Sequence, residues 1–202
     1  TDFFERKAQL RVGNNPAVPT GFVDLDQYLG GGLRPTQLCV VGGRPGMGKS
    51  AMARDIARQI AGTGRRVLYA SNEMGTSDLV DRAVAVLARV PLSVVIAGTG
   101  YQSDWDRIEG ARATLEFLPL LNYVDGGMTS EGLRAFAERE HAVEPFACIV
   151  VDYLQRMADG GRTDLERVSR TARALNSIAM TLRVPVIAGA QLSRASEGQK
   201  KD

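Results

Sequence analysis

The sequence is poor in the residues that build metal centres, disulfides and acyl-transfer triads. Among its 202 residues there is one histidine, His141, and there are two cysteines, Cys39 and Cys148. Each cysteine lies in an apolar run that predicts a core strand, and isolated cysteines without a C-x-x-C pair are typical of buried thiols. A disulfide, a histidine-based metal site and Ser-His-Asp catalysis are therefore not expected.

Lysine is scarce as well, and long apolar segments are absent from the sequence. Lysine occurs only at positions 7, 49, 200 and 201, and the formal net charge is +2, too small to argue for nucleic acid by itself. No apolar run is long enough to span a membrane and no signal peptide is evident, so we expect a cytoplasmic protein without membrane contact. The length and the 44% hydrophobic content suit a single globular domain.

One of the few lysines lies in a glycine-rich stretch that organises the rest of the chain. Residues 43–50 read GRPGMGKS and match the phosphate-binding pattern G-x-x-x-x-G-K-[ST] at every fixed position. Glycines let backbone N–H groups approach an anion, and the following helix directs its positive end at the same point. The residues predicted to bind the nucleotide are Gly43, Arg44, Pro45, Gly46, Met47, Gly48, Lys49, Ser50 and Ala51.

The flanking sequence distinguishes this match from a glycine-rich hairpin without a ligand. Residues 37–42 form a short apolar run typical of a buried parallel strand. Residues 51–61 carry apolar side chains at helical spacing, and Gly62 predicts the end of that helix. A phosphate loop lies between a strand and a helix, so the pattern predicts nucleoside triphosphate binding. Lys49 would meet the β- and γ-phosphates, and Ser50 would be one ligand of Mg²⁺.

Strands and helices alternate along the remainder of the chain. Further strands are predicted at 66–71, 120–124, 146–152 and 184–190, with helices over about 77–88, 103–115, 130–141 and 163–182. Capping boxes at Ser103/Asp106 and Thr163/Glu166 are expected to open two of these helices, and Thr20 or Asp24 is expected to cap a short helix before the first strand. The alternation predicts an α/β fold: a mainly parallel sheet with helices on both faces.

Polar residues end three of the predicted strands. Glu73, Asp152 and Gln191 follow apolar runs, and ligands bind at the carboxyl ends of the strands in such sheets. Asp152 would hold Mg²⁺, Glu73 would activate a water molecule, and Gln191 would detect the γ-phosphate. The alternatives are an aspartate that caps a turn, a surface glutamate and a polar strand terminus.

The first residues are predicted to form a separate segment. Residues 1–17 combine a short amphipathic helix carrying Phe3, Phe4 and Leu10 with a breaker cluster around Pro16, and residues 18–202 form the main domain. The helix either docks on a neighbouring subunit or lies on its own domain.

Taken together, these motifs resemble the replicative DNA helicases of the DnaB type. The resemblance rests on residues 20–26, 43–50, 72–74, 151–155 and 191–194, which occur in the family's order, and it extends over nearly the whole chain. It implies a RecA-like P-loop ATPase domain, a DNA-helicase motor that binds ATP and Mg²⁺ and moves along single-stranded DNA as a homohexamer. By the same resemblance, Lys49, Glu73 and Gln191 are catalytic, Ser50 and Asp152 hold the metal, and the linker helix docks on the next subunit.

The resemblance also implies parts that this chain does not contain. The family's motor domain continues beyond the position of Asp202, where its DNA-binding loop and its arginine finger are expected. The family's N-terminal domain, which would contact primase, also has no counterpart here, and a primase or a helicase loader remains a partner of a longer protein. We therefore expect the 202 residues alone to bind nucleotide and to hydrolyse it slowly.

Two other functions fit part of the same pattern. A RecA-like ATPase of the recombination or clock-protein type shares the phosphate loop and the preceding glycines. A non-enzymatic module, whose assembly depends on nucleotide, would need the loop but not Glu73. The runs 152–155 (DYLQ) and 191–194 (QLSR) favour the helicase.

Overall fold

The computed structural model describes residues 16–192. The predicted linker helix and residues 193–202 lie outside this range, so the boundary at residue 17 stays a prediction. Five strands form the sheet: β1 (Leu38–Gly43), β2 (Val67–Ser71), β3 (Leu120–Val124), β4 (Cys148–Asp152) and β5 (Val186–Gln191). The helices are α1 (Val23–Tyr28), α2 (Lys49–Gly62), α3 (Thr76–Ala88), α4 (Leu92–Ala97), α5 (Gln102–Phe117), α6 (Ser130–Val143) and α7 (Asp164–Leu182).

The sheet is parallel throughout, with strand order β1-β5-β4-β2-β3. The pairing brings Ser71 opposite Asp152 and Gly43 opposite Gln191. The carboxyl ends of β1, β2, β4 and β5 therefore lie along one edge of the sheet, which is where the polar residues were predicted to meet.

Helices cover both faces of the sheet, as predicted. On one face, α6 and α7 bury Leu133, Leu175 and Ile178 against Ile149 and Val151. On the other face, α2 buries Ile56 and Ile60 against alternate residues of the same strands, including Val67, Tyr69, Cys148 and Val150. Side chains alternate across a strand, so a strand covered on both faces is apolar at every position. This explains why the predicted core strands read as continuous apolar runs.

The cysteines and the histidine have structural roles. Cys148 is fully buried and Cys39 is partly buried, and both are free thiols. Burial raises the pKa of Cys148 to about 12, which keeps it protonated. His141 lies in the last turn of α6, and its Nδ1 accepts a 3.0 Å hydrogen bond from the N–H of Phe146.

No helix in residues 16–192 has the length and the apolar character needed to cross a bilayer.

Several helix starts differ from the predictions. Thr163 caps α7 as predicted, accepting a hydrogen bond from the N–H of Glu166. The predicted box at Ser103 is wrong: α5 begins one residue earlier, and the carboxylate of Asp104 accepts from the N–H of Tyr101. Neither Thr20 nor Asp24 caps α1. Thr20 instead donates hydrogen bonds from its N–H and its hydroxyl to the carboxylate of Asp26, which lies within the helix. The short helix α4 was not predicted.

Candidate nucleotide-binding site

The phosphate loop joins β1 to α2, as its flanking sequence predicted. Gly46 and Gly48 have φ values of 77° and 82°, in the region that side-chain-bearing residues rarely adopt. Gly48 immediately precedes α2, so Lys49 and Ser50 are the first two residues of that helix. The end of the loop therefore coincides with the positive end of a 14-residue helix, whose first N–H groups have no partner within the helix.

Lys49 folds back across the loop. Its Nζ donates a 2.9 Å hydrogen bond to the carbonyl oxygen of Arg44. A Cβ on Gly43 would lie 3.2 Å from the Lys49 side chain, so glycine at position 43 leaves room for the lysine stem. An ammonium group has three donors, so the same position leaves Lys49 able to meet a phosphate oxygen.

The predicted metal ligands are in contact. The hydroxyl of Ser50 donates a 2.9 Å hydrogen bond to Oδ1 of Asp152, although 102 residues separate them in the sequence. The other carboxylate oxygen, Oδ2, accepts a 2.9 Å hydrogen bond from the hydroxyl of Tyr69. Asp152 is 1% exposed, so this carboxylate is fixed from both sides beneath the phosphate loop. Tyr69 was predicted only as a strand residue. Its side chain lies on the same face of β2 as that of Ser71, which pairs with Asp152 in the sheet, so Tyr69 lies on the same face as Asp152.

Burial keeps the tyrosine in its donor form. Tyr69 is 1% exposed. Burial raises its pKa well above the usual range, with further contributions from the charge of Asp152 and from their hydrogen bond. The phenol therefore stays protonated and continues to donate to the carboxylate at every physiological pH.

An open cleft lies above the phosphate loop, and most of the predicted residues line it. Glu73 and Gln191 lie on its walls, at the ends of β2 and β5. The remaining residues that line it are Pro45, Gly46, Gly48, Lys49, Ser50, Ala51, Arg54, Met74, Arg82 and Tyr153. Gly43, Arg44 and Met47 lie instead on the other side of the loop, where they line an adjoining pocket with Val41, Gly42 and Met52.

Two arginines of this cleft were not predicted. Arg54 follows Ser50 by four residues on α2, so the i, i+4 spacing could have placed both on the same face. Its Nη1 is buried without a hydrogen-bond partner among the residues that the structure describes. Arg82 lies on α3. With Lys49, these side chains give the cleft three positive charges, which suit a polyanionic ligand.

A second cavity lies between α2, α3 and β3 and is lined mostly by apolar side chains. It contains no part of the phosphate loop, and its walls come largely from α3 and β3, including Leu79, Val80, Val86 and Leu120. The phosphate loop therefore lines the open cleft and not this cavity.

The residues present fit a nucleotide with a divalent cation. Within residues 16–192 there is no cluster of three or more acidic, cysteine or histidine side chains that would form a complete protein cage for a metal. A hydroxyl beside one carboxylate is instead the partial ligand set typical of Mg²⁺ that takes phosphate and water oxygens as well. The glycine-rich loop and Lys49, which line the same cleft, supply the matching anion site.

Comparisons with known proteins identify the family of the domain over nearly its whole length. The family model described as the DnaB-like helicase C-terminal domain matches residues 17–202. The chain is 38% identical to the replicative DNA helicase DnaB of Leifsonia xyli over 190 residues, which is 92% of this chain and 41% of that protein. It is 35% identical to the replicative DNA helicase DnaC of Bacillus subtilis, covering 95% of this chain and 43% of that protein. The chain thus spans less than half the length of these relatives.

Solved structures show the same fold. A DnaB-like replicative helicase, determined with its interactions with primase, superposes with a TM-score of 0.86 at 22% identity over 98% of this chain and 49% of that chain. A second solved structure, an ATPase domain, superposes with a TM-score of 0.84 at 23% identity over 99% of this chain and 75% of that chain. These similarities establish the RecA-like α/β fold that the motifs predicted.

Proposed function

Because the chain belongs to the family of DnaB-like helicase C-terminal domains, we propose that it is the ATP-hydrolysing motor of a DNA helicase that acts in replication. The observation that carries the proposal is the contact of Asp152 with Ser50, which lines a cleft together with Lys49, Glu73 and Gln191. A P-loop nucleotide site uses residues of the types of Ser50, Asp152 and Lys49. Glu73 and Gln191 add a carboxylate and an amide where hydrolysis would take place.

We propose a separate task for each residue of the site. The loop from Gly43 to Ala51 binds the triphosphate of ATP through backbone N–H groups, and Lys49 adds a charge at the outer phosphates. Ser50 and Asp152 hold Mg²⁺, which when bound neutralises charge on the phosphate oxygens.

The remaining two residues act on the reaction itself. Glu73 is exposed on the cleft wall, where its carboxylate can orient a water molecule and accept its proton. Gln191 lies opposite Gly43, the first residue of the phosphate loop, and can detect the γ-phosphate from there.

The proposed partners follow from the family. We expect the complete protein to bind single-stranded DNA and to form a homohexamer, in which residues 1–17 of one subunit dock on the next. Primase or a helicase loader would bind the complete protein. The proposed location is the cytoplasm. The family match favours this function over a recombination or clock-type ATPase and over a non-enzymatic assembly module.

The test is the steady-state ATPase activity of the full-length protein, measured with and without single-stranded DNA. We expect single-stranded DNA to stimulate the ATPase activity strongly, and we expect Lys49→Ala to abolish this stimulation. Arg134→Ala, which removes one positive charge from the exposed surface of α6, is the matched control and should behave as the parent protein. ATPase activity that is indifferent to DNA would favour the assembly module and contradict the motor.

A further inference from the structure

The ends of β2 and β4 are joined by a side chain that the function proposed above does not use. The N–H of Tyr153 donates a 3.0 Å hydrogen bond to Oδ1 of Asn72, and Nδ2 of Asn72 donates to the carbonyl oxygen of Tyr153 at 3.3 Å. The carboxamide of Asn72 thus pairs with the backbone of one residue as a neighbouring strand would. We call this pair of bonds the Asn72 clasp.

A second clasp of the same kind joins the segment after β4 to β5. The N–H of Gln191 donates a 3.0 Å hydrogen bond to Oε1 of Gln155, and Nε2 of Gln155 donates to the carbonyl oxygen of Gln191 at 2.9 Å. We call this pair the Gln155 clasp. Both clasps use carboxamides, the only side chains that carry the donor and the acceptor of a peptide group.

The clasps begin where the regular sheet ends. The β2–β4 ladder stops at Ser71 and Asp152, and the β4–β5 ladder stops at Val151 and Ala188. Beyond these pairs, parallel strands leave unpaired backbone groups that need other partners. The Asn72 and Gln155 clasps provide those partners for Tyr153 and Gln191.

The positions of the clasps connect them to the reaction. Asn72 directly precedes Glu73, and the Gln155 clasp holds the backbone of Gln191 itself. Tyr153 and Gln155 belong to one short segment, so the two clasps form a continuous link between the proposed base and the proposed γ-phosphate detector. Asn72 is 7% exposed, and a carboxamide at that depth is costly unless its hydrogen bonds are made.

We propose that Asn72 and Gln155 are positioning residues for ATP hydrolysis, which hold Glu73 and Gln191 in register across the cleft. The inference rests on the proposed function, because it needs Glu73 as the base. A shift of about 1 Å in a reacting group can lower a rate by about 100-fold. The phosphate loop, which is proposed to bind the nucleotide, takes no part in either clasp. Loss of a clasp should therefore act on turnover and not on nucleotide affinity.

The experiment uses the full-length protein with Asn72→Leu, which keeps the side-chain size and removes both hydrogen bonds. Gln155→Met does the same for the second clasp, and Asn72→Asp keeps only the acceptor for Tyr153. Asn176→Leu, on the exposed face of α7, is the matched control. We expect kcat to fall at least 10-fold in Asn72→Leu and Gln155→Met and less in Asn72→Asp. The affinity for a fluorescent ATP analogue should stay within about 2-fold of the parent.

A double variant separates this inference from the proposed function. If Asn72 acts through Glu73, adding Asn72→Leu to Glu73→Gln should lower the residual turnover no further, whereas independent effects would multiply. Multiplied effects would overturn the inference, as would unchanged kcat in the clasp variants or a loss of nucleotide affinity equal to the loss of kcat. Normal turnover in Glu73→Gln alone would instead overturn the assignment of the base.

Discussion

Ser50 and Asp152 lie 2.9 Å apart, hydroxyl to carboxylate, at the point where the first turn of α2 meets the end of β4. Neither residue alone distinguishes a nucleotide site from a helix start or a turn. Their contact does, because it places two oxygen ligands under a glycine-rich loop that can bind phosphates.

Removing either proposed Mg²⁺ ligand should lower the apparent affinity for Mg²⁺ more than the affinity for the nucleotide. We expect Ser50→Ala and Asp152→Asn to raise the Mg²⁺ concentration needed for half-maximal ATPase activity by about 10-fold or more. The measurement is a Mg²⁺ titration of steady-state turnover at saturating ATP. Ser93→Ala, on the surface helix α4, is the control. A Mg²⁺ dependence equal to that of the parent in both variants would contradict the assignment of the ligands.

The hydroxyl of Tyr69 should stabilise both the fold and the metal site. Tyr69→Phe leaves Oδ2 of the buried Asp152 without its 2.9 Å donor, so the free energy of unfolding should fall by about 1–3 kcal/mol. The Mg²⁺ requirement should also rise, because a residue that orients a metal ligand supports its affinity. Chemical denaturation and the same Mg²⁺ titration measure the two effects. Tyr28→Phe, at a position 91% exposed, should change neither.

The sequence predicted the parts of the site that are local and missed those that depend on contacts between distant strands. The phosphate loop is a continuous pattern, and the strand before it and the helix after it were predicted to within two residues of their observed bounds. Asp152 and Gln191 end apolar runs, which placed them at the correct edge of the sheet. The strand order, in contrast, depends on how β5 inserts between β1 and β4, and no local pattern contains that information.

The errors at helix starts have a similar cause. A capping box is a short pattern that several overlapping positions can satisfy. At the start of α5, Asp104 accepts the hydrogen bond from the backbone, and not Asp106 as predicted. The carboxylate of Asp26 accepts hydrogen bonds from the N–H and the hydroxyl of Thr20. The local sequence contains no pattern that predicts this contact. The clasps of Asn72 and Gln155 were missed because each pairs with the backbone of a residue in another segment.

Glu73→Gln should separate binding from hydrolysis. The amide keeps the size of the side chain and removes the group that accepts the proton of water, so kcat should fall by about 10²- to 10⁴-fold. Nucleotide affinity should stay close to that of the parent, because the loop residues are unchanged. Single-turnover ATP hydrolysis and a nucleotide-binding titration measure these two quantities. Glu109→Gln, on the exposed surface of α5, is the control. Turnover that survives the substitution would exclude Glu73 as the base.

His141 should make the stability of this domain depend on pH, in a defined direction. Its Nδ1 accepts the hydrogen bond from Phe146, and partial burial and then the nearby Arg66 guanidinium lower its pKa below the ordinary value. The unfolded chain therefore binds a proton more readily than the folded chain below about pH 6.5. The contribution of His141 is complete above that pH and is lost as the pH falls through the folded-state pKa.

The substitution His141→Gln tests this dependence, because glutamine offers an acceptor that does not titrate. On lowering the pH from about 7.5 to about 5.5, the parent protein should lose more thermal stability than the variant, and the difference in their unfolding midpoints should shrink or reverse. Other groups that titrate in this range are common to both proteins and cancel in the comparison. A difference that grows in favour of the parent at acid pH would mean that the fold prefers the charged imidazole. The hydrogen bond from Phe146 could then not be the dominant interaction of His141.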